Sequence, residues 1–171
     1  MAGASVTFEL REVDAVRRLL AKAALDADGR RGLLKSVGKL TENQTGERFD
    51  SKRGPDGDSW KALAQRTQDY YAEKGLGHRT LLDGEGNLRR SVTHEIDGEA
   101  WSVLVGATMK YAAVHQFGAT IRPRTAPALG VPGYGALQKV TIPARPYLGI
   151  SPDNAGEIAR AVAAFLAGGL G

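Results

Sequence analysis

The sequence contains no cysteine among its 171 residues. This absence excludes disulfide scaffolds, thiolate zinc sites, iron–sulfur clusters and cysteine nucleophiles, and it fits a reducing cytosol. The sequence also lacks any run of about 18 apolar residues, so we expect no membrane-spanning helix. Its first residues lack the basic and then apolar stretches of a secretory signal peptide. These absences favour a soluble protein of the cytoplasm.

Positive and negative charges are nearly balanced along the chain. The formal net charge of +4 and the pI near 9.5 are compatible with a nucleic-acid partner. Residues 1–60 hold eleven Lys and Arg against ten Asp and Glu, residues 61–125 nine against seven, and residues 126–171 three against two. Because the surplus is thinly spread in this division, it disfavours sequence-specific DNA binding.

Two amphipathic helices are predicted near the start of the chain. After a short strand over Val6–Leu10, apolar residues recur at three- and four-residue spacing from Glu12, and this helix should end at Asp26–Gly29. A second helix is predicted from Gly32 to Phe49. Because few residues separate the two helices, we expect an antiparallel helical hairpin.

A β-hairpin is predicted in the middle of the chain. Apolar and polar residues alternate over Val92–Ile96 and again over Trp101–Val105, which is typical of half-buried strands. Asp97-Gly98 lies between the two runs and is the favoured composition of a tight turn.

Shorter elements surround this hairpin. A polar helix is predicted from Leu63 to about Lys74, a short helix over Thr108–Phe117, a strand beginning at Ile121 and a last strand around Val140 and Ile142. A C-terminal helix should begin after Ser151, a good N-cap followed by Pro152 and Asp153, and should end at Gly168-Gly169.

Residues 122–138 interrupt this pattern. Pro123, Pro127 and Pro132 stand there among several glycines, so we expect an irregular loop or arm. The predicted fold class is α+β. In a single domain over residues 1–171, an N-terminal helical hairpin and a C-terminal helix pack on a small, mainly antiparallel sheet.

Motifs of catalysis and cofactor binding are missing from the sequence. The three histidines, His78, His94 and His115, are far apart and form no zinc-protease motif. The sequence contains no nucleophile-elbow motif and no phosphate-binding glycine loop. We therefore expect neither an enzyme nor a bound metal or cofactor.

Four collinear segments carry a resemblance to a known family. They are GPDGDSWKAL (Gly54–Leu63), LLDGEGNLRRSV (Leu81–Val92), YAAVHQFG (Tyr111–Gly118) and IPARPYLG (Ile142–Gly149). Together they resemble the phage virion-morphogenesis family of Mu-like phages, also called tail-completion proteins. That family has a "G..W..L" turn, an "L..tG.L..S" segment, a "YA..HQFG" helix and an "iPaRPfLG" strand before a C-terminal helix.

The resemblance extends from about Leu33 to the C-terminus, with two departures. Asp83-Gly84-Glu85-Gly86 replaces the threonine-glycine pair that the family carries before the position of Leu88. A long Pro- and Gly-rich segment also separates Ile121 from Lys139. The second departure leaves the local fold of the arm open.

The resemblance implies a structural protein of the virion neck, at the head–tail junction, made in the host cytoplasm. It implies a homo-oligomeric ring, expected to be a hexamer, that completes or terminates the tail and permits head–tail joining. Expected partners are the connector or head-completion protein and the tail tube, with DNA passing through the ring without sequence-specific binding. Three alternatives stay open: a head-completion or connector protein on the portal side, a basic nucleic-acid-binding protein and, after these, an unrecognised hydrolase.

Site residues follow from the resemblance and from the arm. We expect the arm to contact a neighbouring subunit or the next ring, and Arg145 either to bind an acidic neighbour or to form a local contact. The interface residues named on this basis are Arg122, Arg124, Leu129, Val131, Tyr134 and Arg145.

Structural roles are assigned to positions that match the motifs of the family pattern. Trp60 is expected to anchor its turn in the core, Tyr111, Val114 and His115 to pack on the sheet, and Gly118 to end the helix. An interface role in which His115 titrates is the alternative to packing. The full set of motif residues is Trp60, Tyr111, His115, Phe117, Gly118, Pro143 and Pro146.

Overall fold

The computed structural model describes residues 4–9, 16, 18–19, 25–77, 82, 84–97, 99 and 101–168. The helices in this part of the chain are α1 (Ala27–Ser51), α2 (Gln65–Glu73), α3 (Asn87–Arg90), α4 (Ala112–Phe117) and α5 (Pro152–Gly168). The strands are β1 (Ala4–Glu9), β2 (Val92–Asp97), β3 (Ser102–Ala107), β4 (Ala119–Ile121), β5 (Leu129–Val131), β6 (Gly135–Leu137) and β7 (Val140–Ile142). The predicted α+β class is confirmed.

The main sheet has the strand order β1-β3-β2 and is antiparallel throughout. Val103, Val105 and Ala107 alternate along β3 and are buried, while α1 packs on this face of the sheet. The predicted strand alternation is confirmed, but the tight turn is wrong. Asp97 pairs with Ser102, so four residues connect the strands, and Trp101 lies in this turn with a φ of 52°.

Helix α1 is the central helix of the molecule. It begins at Ala27, before the predicted Gly32, because the Asp26 carboxylate caps it by accepting a hydrogen bond from the Gly29 N–H at 2.8 Å. This contact places Gly29 inside α1 and corrects the sequence prediction that the preceding helix ends at Asp26–Gly29. Of the predicted first helix, residues 16, 18 and 19 are described and helical, and the rest of 10–24 lies outside the described residues.

Helix α5 packs against α1 and buries Ile158 and Val162. The Ser151 hydroxyl accepts a hydrogen bond from the Asn154 N–H at 3.1 Å, so the predicted N-cap is confirmed. Among the described residues, no helix is both long and apolar enough to cross a membrane.

The predicted irregular arm, residues 122–138, contains regular structure. Strands β4 and β7 pair as an antiparallel ribbon at its root, and β5 and β6 pair as a hairpin at its tip. In the structure, we use the name arm for the wider region from β4 to β7, residues 119–142. Ile121 ends strand β4 rather than beginning a strand, which corrects the sequence prediction.

A glycine in α1 makes room for a histidine of β2. A Cβ atom at Gly38 would overlap the His94 ring, whose Nδ1 lies 2.8 Å from Oε1 of Glu42. Burial raises the pKa of Glu42, but hydrogen bonds from Lys39 and His94 outweigh it, so the pKa of this carboxyl is lowered. The glycine thus permits a part-buried polar link between helix and sheet.

Gly38→Ala is expected to lower the free energy of unfolding by about 1 kcal/mol, because overpacking costs about 1–3 kcal/mol and exceeds the gain in helix propensity of about 1 kcal/mol. Gly46→Ala in the same helix is the control, since its Cβ would come no closer than 3.8 Å to Arg89. Gly46→Ala should raise stability by up to about 1 kcal/mol in urea denaturation. Equal gains for both variants would show that the His94 ring moves aside freely.

Candidate functional site

The site is built around α4, which links the core to the arm. Ala112 and Gln116, one turn apart, form the buried face of this helix. The Gln116 side chain accepts hydrogen bonds from the N–H groups of Tyr147 and Leu148, both at 3.0 Å, and donates one to the Leu148 carbonyl at 3.0 Å. These bonds fix the chain where it re-enters the core after the arm.

The expected packing of Tyr111 on the sheet is wrong. Tyr111 is 41% exposed, and its ring meets the His115 ring edge to face at 5.7 Å. Both side chains line a cleft of about 300 Å³, together with Leu63, Tyr71, Leu88 and Arg145 among others.

The Arg145 side chain points into the interior of its own chain, and the residue is only 5% exposed. Its Nε donates to the Lys61 carbonyl at 2.8 Å and its Nη2 to the Ala62 carbonyl at 3.1 Å. Its main-chain N–H donates to the His115 carbonyl at 2.7 Å. The open choice for Arg145 is therefore resolved as a local contact, because a buried guanidinium bonded to these carbonyls is not presented to an acidic neighbour.

Around Arg145 lie the other motif positions. The indole N–H of Trp60 donates to the Pro146 carbonyl at 2.8 Å, and Trp60 packs against Phe49 in the core. Pro143 directly follows strand β7. Gly118 ends α4 with a φ of 71°, and a Cβ there would lie 2.7 Å from the Ala144 nitrogen, so the position requires glycine.

The surroundings of His115 favour its neutral form. Burial lowers its pKa below the ordinary value of 6.5, and the positive charge of Arg145 lowers it further. The unfolded chain then binds a proton at higher pH than the folded chain does. The contribution of His115 to the free energy of unfolding is fully present above about pH 6.5. It decreases as the pH falls through the folded-state pKa of His115.

We expect the melting temperature of the protein to fall between pH 7 and pH 5 partly because of His115. In His115→Phe, which keeps a ring beside Tyr111 and cannot titrate, the same fall should be smaller. Differential scanning calorimetry of both proteins across this pH range checks the difference. Parallel curves would exclude a contribution from His115.

The arm root is a two-faced ribbon. Ala119 pairs with Ile142 and Ile121 with Val140, so four apolar side chains share one face. Thr120 and Thr141 pair on the other face, with their hydroxyl oxygens 3.2 Å apart.

Next to this ribbon lies an exposed aromatic side chain. Phe117, immediately before it in the chain, is 68% exposed, and Ile121 is 37% exposed. We call Phe117 and the four apolar ribbon residues the root patch. The sequence analysis named Phe117 only as a motif position and did not predict the root patch. The alternation of apolar residues with Thr120 and Thr141 could have indicated the patch.

The arm tip rests on helix α2 of the same chain. The Tyr134 hydroxyl lies 2.9 Å from the Thr67 hydroxyl, and Arg66 lies over the Tyr134 ring at 5.0 Å. Arg66 Nε also donates to the Gly133 carbonyl at 2.7 Å. Of the other residues expected at an interface, Arg122 and Arg124 are exposed, and Leu129 and Val131 are half-buried.

Charge along the chain is less even than the three-part division indicated. Between Glu99 and Asp153 the sequence contains no acidic residue, while five basic residues occur: Lys110, Arg122, Arg124, Lys139 and Arg145. The division at residue 125 cut this segment in two and combined its halves with acidic neighbours. Counting basic residues between successive acidic residues would have identified this basic segment.

No group of three or more His, Asp or Glu in the described part of the chain could hold a metal ion. His94 and His115 lie apart, in β2 and α4, and His78 is outside the described residues.

Comparison with known proteins confirms the family resemblance found in the sequence. The model of the phage virion morphogenesis family matches residues 11–167. The Mu-like prophage FluMu G protein 2 of Haemophilus influenzae is 29% identical over 153 residues, which is 90% of each chain. The putative capsid assembly protein G of Escherichia phage Mu is 30% identical over 121 residues, covering 70% of this chain and 69% of the relative. No solved structure matches the chain. The chain belongs to the phage virion morphogenesis family.

Proposed function

We propose that this protein is a non-enzymatic structural component of the phage neck, at the head–tail junction of the virion. In this proposal, copies of the chain form a ring, taken to be a hexamer, that completes or terminates the tail and permits the head to join. Membership of the virion morphogenesis family supports a role in phage assembly. The observation that carries the finer proposal is the root patch.

The root patch suits contact with another copy of the chain. Phe117 and Ile121 expose large apolar surface, and such surface marks interaction sites when it is contiguous. A ribbon of two three-residue strands is marginally stable alone and gains from cover on its apolar face. Contacts between different faces of identical subunits generate a closed ring when the rotation closes.

Other neck proteins would bind the faces that such a ring leaves free. The proposed partners are a connector or head-completion protein on one side and the tail tube on the other. The arm contributes its root to the subunit contact, and its tip reaches the neighbouring subunit or ring only when released from α2.

A second candidate is a head-completion or connector role on the portal side. The phage Mu relative carries the name of a putative capsid assembly protein, and that name favours keeping a capsid-side role as the alternative. Both roles share the neck location and the ring.

Electron microscopy of lysates from the parent phage with this gene deleted tests the proposal. Full heads beside separate tails of abnormal length would support tail termination. Unjoined tails of normal length would support the connector or completion role. Normal infectious particles would contradict both, and a plasmid copy of the gene should restore particles as the control.

A further inference from the structure

The charge of this chain is concentrated in one segment. The acid-free segment between Glu99 and Asp153 holds five of the 23 Lys and Arg. The rest of the chain then has eighteen basic residues against all nineteen acidic ones. The basic pI therefore comes from this segment, while the remainder is close to neutral.

Three of these cations lie at the arm root. Ile121 and Val140 form the last pair of the ribbon; Arg122 directly follows β4 and Lys139 directly precedes β7. Arg124 follows two residues later. All three side chains are exposed, and none of them forms an ion pair with a described residue. Like charges brought together in this way are unfavourable in the isolated chain, so the arrangement fits an anionic partner.

The ribbon supplies hydroxyl groups beside these cations. Thr120 and Thr141 are exposed and pair on the polar face of the ribbon, two positions from Arg122 and Lys139 in the chain, respectively. Arginine, lysine and threonine side chains are the usual donors to phosphate oxygens in protein–DNA contacts. Arginine in addition matches phosphate geometry with two parallel hydrogen bonds.

Charge complementarity favours DNA over a second copy of the chain as the partner of this face. The remainder of the chain is nearly neutral and offers little net negative charge to a basic arm. Double-stranded DNA carries one negative charge for about every 1.7 Å of its axis. We propose that Arg122, Arg124 and Lys139, with the Thr120–Thr141 pair, bind the phosphate backbone of double-stranded DNA without reading its sequence. The proposal rests on the proposed neck role, in which DNA passes through the ring.

Fluorescence anisotropy with labelled mixed-sequence duplex DNA and the full chain tests this inference. Neutralising three phosphates predicts a slope of log affinity against log salt of about −2.7, or roughly a 40-fold loss of affinity between about 50 and 200 mM salt. The variant Arg122→Gln, Arg124→Gln, Lys139→Gln should bind more weakly, and this salt dependence should be nearly lost. A second duplex of different sequence should bind wild type equally well.

A matched control removes three exposed lysines elsewhere, at Lys35, Lys61 and Lys74. This variant has the same net charge as the arm variant and should keep most of the affinity and slope. Equal losses in both variants, or an unchanged slope in the arm variant, would overturn the inference. Absence of DNA binding by wild type at low salt would also overturn it and would favour an acidic protein as the partner.

The failure of this inference is distinguishable from failure of the neck role. In gene-deleted phage, a plasmid carrying the arm variant should still give joined heads and tails if the neck role is correct, with fewer infectious particles because DNA contact is lost. If wild type and the arm variant restore head–tail joining and infectious particles equally well, the DNA contact is contradicted while the neck role stands.

Discussion

Replacing Gln116 with leucine is expected to lower the free energy of unfolding by about 4 kcal/mol. Gln116 serves three buried main-chain groups: the N–H groups of Tyr147 and Leu148 and the Leu148 carbonyl. Leucine has a similar size but leaves all three without a partner, and each such loss costs about 1–3 kcal/mol. The chain after the arm would then lose its attachment to α4.

Urea denaturation followed by circular dichroism measures this change. Gln138→Leu is the control, because the Gln138 side chain donates a single exposed hydrogen bond, to the Pro127 carbonyl at 2.9 Å. That variant should change stability by less than about 0.5 kcal/mol. Similarly small effects in both variants would mean that water replaces the Gln116 amide and that this link does not hold the arm root.

The second large effect is expected in assembly and not in stability. Phe117→Asp combined with Ile121→Asp should weaken self-association by about 30-fold or more, because losing a central apolar contact costs about 2 kcal/mol or more at an interface. The added carboxylates would also have to be stripped of water there. Folding should change less than assembly, since Phe117 is 68% exposed and Ile121 37% exposed within the single chain.

Sedimentation velocity over a range of concentrations, with plasmid complementation of the deleted phage, checks this expectation. Ala163→Asp with Ala164→Asp adds the same charge to exposed positions of α5 and serves as the control. The control should assemble and complement like wild type. If the Phe117 and Ile121 variant does so too, the root patch is not the subunit contact.

Local sequence patterns predicted the secondary-structure elements that nearby residues determine. The alternation over Val92–Ile96 identified β2, and the Ser151 cap with Pro152 identified the start of α5. The start of α1 was missed because Gly29 has low helix propensity and was taken as the end of the preceding helix. The Asp26 cap and packing of the helix on the sheet outweigh that cost, and neither effect is visible in a propensity pattern.

Features that depend on distant residues were not predictable in the same way. Arg145 is bonded to the carbonyls of Lys61 and Ala62, more than eighty positions earlier, so no local motif marks it as buried. The arm looked irregular because its strands are only three residues long and lie between prolines and glycines. The pairing of β4 with β7 across the whole arm is also a long-range effect.

The arm is held unequally at its two ends. At its root, Gln116 and Arg145 are bonded in the interior. Among the described residues, its tip is bonded to α2, a helix without buried residues, through Arg66, Thr67 and Tyr134. Regions with few buried contacts open at a small fraction of the global free energy of unfolding. The tip and α2 should therefore separate by local opening in the native protein. The root should remain attached to the core, so that the tip moves about it as about a hinge.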